Sequence, residues 1–188
     1  MSLTGVNMLA NTEKQYGLLT ITIHWLVAIA FFALFAVGFW MVDLGYYDDW
    51  YRKAPELHKS VGVILLLVML MRVALKWFQV SPKPLAGTSE VQEKAAHIAH
   101  FILYLLVFVI LVSGYLISTA DGRGIDVFEL FELPSIGLLF DNQEDIAGAI
   151  HKYVAYAGMG LVILHALAAL KHHFIDKDQT LLRMLGKH

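Results

Sequence analysis

The sequence predicts an all-α fold, a four-helix transmembrane bundle. Hydrophobic residues make up 58% of the 188 and charged residues only 16%. Mean hydropathy is +0.62, whereas a soluble domain of this length carries more charge and shorter apolar runs. Four apolar stretches, about 21–44, 58–78, 97–118 and 146–174, each reach the roughly 20 residues needed to cross about 30 Å of hydrocarbon. The remainder is two tails, 1–20 and 175–188, two modest connections and one longer one. The chain therefore reads as a single membrane domain, 1–188.

Each element has its own signal. The first stretch, Ile21–Leu44, is too long for the apolar core of a signal peptide, and no A-x-A cleavage site follows, so it reads as a retained span. Asp48-Asp49 and Pro55 break the connection after it. Ser81-Pro82-Lys83-Pro84 breaks the one after the second stretch. The long connection, 119–145, opens Asp-Gly-Arg-Gly and then alternates Phe128, Leu130, Phe131 and Leu133 with acidic residues. That pattern predicts a short helix lying at the membrane surface. Trp25, Trp40, Trp50 and Trp77 fall near span ends, as interfacial anchors do.

Charge sets the orientation. Lys14, Arg72, Lys76, Lys83, Lys94, Lys171, Lys177, Arg183 and Lys187 share one side with five acidic residues. Arg52, Lys53, Lys59, Arg123 and Lys152 share the other with eleven. The basic side is expected to be cytoplasmic, which places both termini inside. No feature points to a nucleic-acid partner.

The chemistry lies in the histidines. His151 and His165 stand fourteen residues apart on the last span, about 21 Å along a helix axis and on nearly one face. Gly158, and Gly160 just beyond, suggest a hollow between them. Running the spans alternately through the membrane pairs His58 with His151 towards the outside and His24 with His165 towards the cytoplasm. Two opposed imidazoles at each level are what a low-spin b-type haem requires, with no iron position left open. The absence of cysteine excludes thiolate-ligated clusters and thioether-attached haem. Two b haems between the helices, ligated by His24, His58, His151 and His165, are therefore expected. Gly38 lies fourteen residues after His24 and Gly114 fourteen after His100, so a haem face could approach the backbone closely there. Arg72, fourteen after His58, is a costly cation in lipid and is expected to meet a haem propionate or the headgroups. His97 and His100 share the cytoplasmic level and are alternative ligands or propionate contacts. His172 and His173, beyond Lys171, read either as an interfacial cap or as a quinone or proton-exchange site.

The segments YGLLTITIHWL, ELHKSVGVILLLVMLMRVALK, AHIAHFILYLL and IHKYVAYAGMGLVILHALAALKHHF, closing with DKDQTLLRML, resemble the bacterial cytochrome b561 family from Tyr16 to Leu185. The resemblance implies a four-helix inner-membrane dihaem protein that exchanges electrons with the quinone pool. It makes His24, His58, His151 and His165 the axial ligands, and marks His172 as a residue near the cytoplasmic haem and a quinone contact. The expected function is transmembrane electron transfer between a periplasmic redox partner and ubiquinone or another quinone. Two variants compete with a plain carrier. One is a superoxide:ubiquinone oxidoreductase, against which the acidic outer side weighs, since it would repel an anion. The other is a cytochrome b subunit of a larger oxidoreductase, although the related hydrogenase cytochromes tend to carry a further span. A haem-free metal or proton transporter ranks third, because the span interiors hold no acidic residue.

Overall fold

The computed structural model describes residues 9–85 and 87–187. Its long helices are α1 (Leu18–Met41), α2 (Lys53–Phe78), α3 (Glu90–Ser118) and α4 (Gln143–Phe174), followed by a short α5 (Thr180–Met184). Each long helix contains an apolar window with mean hydropathy between 1.8 and 2.6, of which only 6% to 17% is buried within the protein. Apolar side chains left facing outward in such numbers suit lipid, where the helix satisfies its own backbone hydrogen bonds. The fold is mostly helical with four candidate membrane spans, as the hydropathy predicts.

The last three long helices exceed their apolar runs, while α1 matches its run in length. Glu90 and Glu93 open α3, and Glu144 and Asp145 open α4, where negative charge favours the helix N-terminus. Lys171, His172 and His173 close α4, which suits the opposite end. Pro55 does not break the preceding connection as expected. It sits inside the first turn of α2, where its missing N–H has no intrahelical partner to lose.

The chain folds into two compact units. One takes the described parts of 1–27, 68–103 and 160–188; the other takes 28–67 and 104–159. In the first, Asn11 ties the N-terminal segment down. Its Oδ1 accepts from the Gly17 amide and the Thr20 hydroxyl, each at 2.8 Å, and its amide donates to Gln79 Oε1 at 3.1 Å. Gly17 must be glycine, because any Cβ there would collide with the Leu9 and Ala10 backbone. The Trp25 indole N–H donates to the Met184 carbonyl at 2.8 Å, which docks α5.

In the second unit the connection after α3 forms a hairpin, not the expected surface helix. Strands β1 (Ile125–Val127) and β2 (Phe131–Leu133) pair antiparallel with Ile125 opposite Leu133. The reason lies in the period-two order of Ile-Asp-Val, which sends Ile125 and Val127 inward while Asp126 stays exposed. The two buried side chains pack with Val63, Tyr115 and Leu133. Ser60 Oγ donates to the Asp126 carbonyl at 3.1 Å. Phe128 and Glu129 take positive φ values of 54° and 60°. This bend is held by the Glu129 amide donating to Asp126 Oδ1 at 2.8 Å.

The chain beyond the hairpin is clamped by side chains. Tyr115 donates its hydroxyl to the Pro134 carbonyl at 2.7 Å and accepts from the Ile136 amide at 3.0 Å. Gln143, fully buried, accepts from the Leu139 amide at 2.8 Å and donates to the Leu116 carbonyl at 2.9 Å.

Candidate functional site

Within the second unit, His58 on α2 and His151 on α4 face each other with ring centres 6.2 Å apart and planes at 70°. Both line a cavity of about 780 Å³ with Gly38, Gly114, Phe35 and Ile110, inside the size range of cofactor pockets. The cavity is mostly apolar, and His58 and His151 are the imidazoles that line it.

The sequence does not disclose how these rings are held. His151 Nδ1 lies 2.9 Å from the Ile110 carbonyl. A carbonyl only accepts, so the proton is on Nδ1 and the Nε2 lone pair is left for a metal. Ser113 Oγ, 3.3 Å from the same nitrogen, donates to the Val109 and Ile110 carbonyls at 2.7 and 3.0 Å. The expected glycines are found against imidazole. A Cβ on Gly38 would stand 3.1 Å from His58 Cε1, and one on Gly114 3.1 Å from His151 Cε1. Gly158 opens no hollow, since Ile110 Cδ1 and Phe31 Cζ would lie 3.3 and 3.4 Å from its Cβ.

Within the first unit, His24 on α1 and His165 on α4 have ring centres 6.4 Å apart with planes at 67°. His100 comes nearer to His165, at 5.4 Å. Arg72 is half-buried, with Nη2 at 3.1 Å from His24 Nδ1. A guanidinium can only donate, so here the nitrogen receives. Arg72 thus touches His24 directly. His97 is exposed and donates through Nδ1 to its own helix, at the Glu93 carbonyl, 2.9 Å away.

His172 is joined to acidic residues that were not singled out from the sequence. Its Nδ1 lies 2.7 Å from Asp178 Oδ2 and 3.2 Å from Asp176 Oδ2. Lys171 Nζ reaches Asp176 at 2.7 Å. Burial raises the Asp178 pKa, but the Thr180 amide and hydroxyl and the His172 ring outweigh it, so the carboxyl sits below its ordinary value of 3.8. His173 packs edge-on against Phe174 at 4.8 Å.

Comparison with known proteins supplies the family. A family profile described as "Prokaryotic cytochrome b561" matches residues 15–187. The chain is 49% identical over 177 residues to "Cytochrome b561 homolog 2" of Escherichia coli, covering 94% of each chain. It is 31% identical to "Probable superoxide oxidase CybB" of Yersinia pestis, covering 93% of this chain and 98% of that one. Against "Cytochrome b562" of Cereibacter sphaeroides the identity is 30%, over 92% and 96%.

Proposed function

The chain belongs to the prokaryotic cytochrome b561 family, integral membrane proteins of electron transfer that bind b-type haem; from that premise we propose two haems per chain, one held by His58 and His151 and the other by His24 and His165. One observation carries this reading. Two nitrogens about 2 Å from one metal, each about 1 Å from its ring centre, put opposed imidazole centres about 6 Å apart. The two pairs stand at 6.2 and 6.4 Å. At 5.4 Å, His100 and His165 are closer than that, so His100 serves as a neighbour of its site rather than a ligand. With no cysteine in the chain, histidine nitrogen is the attachment available.

When bound, haem supplies a reversible one-electron iron couple whose potential the axial ligands and surroundings set. The residues do the rest. His24, His58, His151 and His165 would leave neither iron an open position, which would favour outer-sphere exchange over oxygen binding. The Ile110 carbonyl fixes the His151 tautomer and orientation. Phe35, Ile110 and Tyr156 line the cavity and exclude water. Arg72 places positive charge beside His24; for His24 Nε2 to hold iron, that guanidinium must turn from Nδ1 so that the ring proton can sit there.

The two faces take different partners in this proposal. The face bearing the acidic connections receives a periplasmic redox partner. The basic face, with both termini, is cytoplasmic, and quinone exchanges there beside His172. Asp178, with Oδ2 2.7 Å from Nδ1, keeps that imidazole oriented. The Yersinia relative's name supports a second reading of the donor, superoxide, against which the eleven acidic outer residues still weigh.

The test is a dithionite-reduced minus air-oxidised spectrum of detergent-purified protein, with haem quantified per chain. A sharp b-type band with about two haems per chain is the expected result. Replacement of His58 or His151 should disturb one haem, and of His24 or His165 the other. Loss of a haem on replacing His97 or His100 instead would overturn the ligand set. Quinol-driven against superoxide-driven reduction then separates the two donor readings.

A further inference from the structure

The histidines of the 780 Å³ cavity are held unequally. His151 has two restraints. Its Nδ1–H donates to the Ile110 carbonyl at 2.9 Å, and its ring lies over Gly114, whose Cβ would fall 3.1 Å from Cε1. Ile110 and Gly114 are one turn apart on α3, so a single helical turn grips the ring at two points. His58 has only the second kind of restraint, its ring lying over Gly38 at the same 3.1 Å. Its Nδ1 is buried and has no hydrogen-bond partner among the described residues. Metal-ligating histidines almost always give their other N–H to a carbonyl, carboxylate or water, which fixes the ring and raises its basicity.

We infer that His151 is the anchored ligand at this site and His58 the displaceable one, kept in place by its packing on Gly38. The inference rests on the bis-histidine reading above. The ligand class that would replace His58 is a small neutral diatomic that binds ferrous haem, with carbon monoxide as the probe. The iron–Nε2 bond to His58 breaks and an iron–carbon bond forms, with no change of oxidation state. The group that governs access is then Gly38, which no hydrogen-bond analysis of the ligand would single out.

An alanine at either glycine forces its neighbouring ring to give by a few tenths of an ångström. His58 can tilt away freely. His151 is drawn back by its hydrogen bond to Ile110, a net difference of about fivefold in favour of the ligated form. The experiment is carbon monoxide binding to dithionite-reduced, detergent-purified holoprotein, read from Soret difference spectra. The wild type and Gly114→Ala should take up little, with Gly160→Ala as a control because its Cβ meets nothing within 4 Å. Gly38→Ala should bind at least about fivefold more than Gly114→Ala and saturate at no more than one carbon monoxide per chain.

Equal uptake by the two variants, or greater uptake by Gly114→Ala, overturns the inference. If Gly38→Ala assembles no haem at this site, His58→Ala and His151→Ala decide the matter. A carbon monoxide-binding haem kept in His58→Ala but lost from His151→Ala supports the inference; equal loss or the reverse overturns it. Failure of the underlying reading shows separately, as a wild type with no low-spin bis-histidine spectrum.

Discussion

Arg72 Nη2 lies 3.1 Å from His24 Nδ1, which brings a permanent cation against one member of a close imidazole pair. Positive charge beside a redox centre favours the state with the extra electron. Arg72→Met should therefore lower the midpoint potential of the haem proposed at His24 and His165, by on the order of 60 mV, a tenfold change in a one-electron equilibrium. The other haem should keep its potential, so a potentiometric titration that moves both equally counts against this local role.

Gln143 should be the costliest polar residue to lose. Gln143→Leu leaves the Leu139 amide and the Leu116 carbonyl without this partner, a penalty of roughly 1–3 kcal/mol. The expected result is a lower Tm together with faster amide exchange across 134–140. Normal protection in that segment would show that Tyr115 holds it alone.

Gly158 tests how tightly the helices meet. Its Cβ position faces the flexible ends of Ile110 and Phe31 at 3.3 and 3.4 Å. Gly158→Ala should thus be tolerated, whereas Gly158→Leu overpacks and should cost about 1–3 kcal/mol. Equal thermal stability of the two variants would contradict this packing.

The corner between α4 and α5 has a pH limit. Asp178 is held below its ordinary 3.8, the Thr180 and His172 hydrogen bonds outweighing burial. A carboxyl with a depressed folded pKa contributes stability that is complete above the unfolded value. That contribution is lost as pH falls through the folded one. Exchange protection of the Thr180 amide, which donates to Asp178 Oδ1 at 2.8 Å, should hold down to about pH 4 and fall below it. Asp178→Asn should remove that pH dependence, and a variant retaining it would point to another carboxyl.

What the sequence reveals here depends on how a feature is encoded. The four spans are legible because composition alone specifies a lipid-facing helix, and the histidine pairs follow from helical spacing and alternating direction. The hairpin is not legible in the same way. Leu130, Phe131 and Leu133 interleaved with Glu129 and Glu132 suit a helix edge as well as a strand, and each strand is only three residues long. The choice is made by tertiary contacts, with Val63 accepting Ile125 and Val127. Side-chain identity also says nothing of the Ile110 carbonyl, since every residue has one. The Asp178 partnership of His172 was missed for another reason: it depends on how the chain turns after α4.

Each of the two proposed ligand pairs draws one member from α4, and α4 is the last of the four long helices to leave the ribosome. A nascent chain that has already inserted three spans holds His24 and His58 but neither of their opposite numbers. On the proposed ligand set, loading of cofactor therefore waits for α4. A chain truncated before residue 151 would carry most of the membrane domain and neither proposed ligand pair, so interrupted synthesis would yield products with no bis-histidine site for haem.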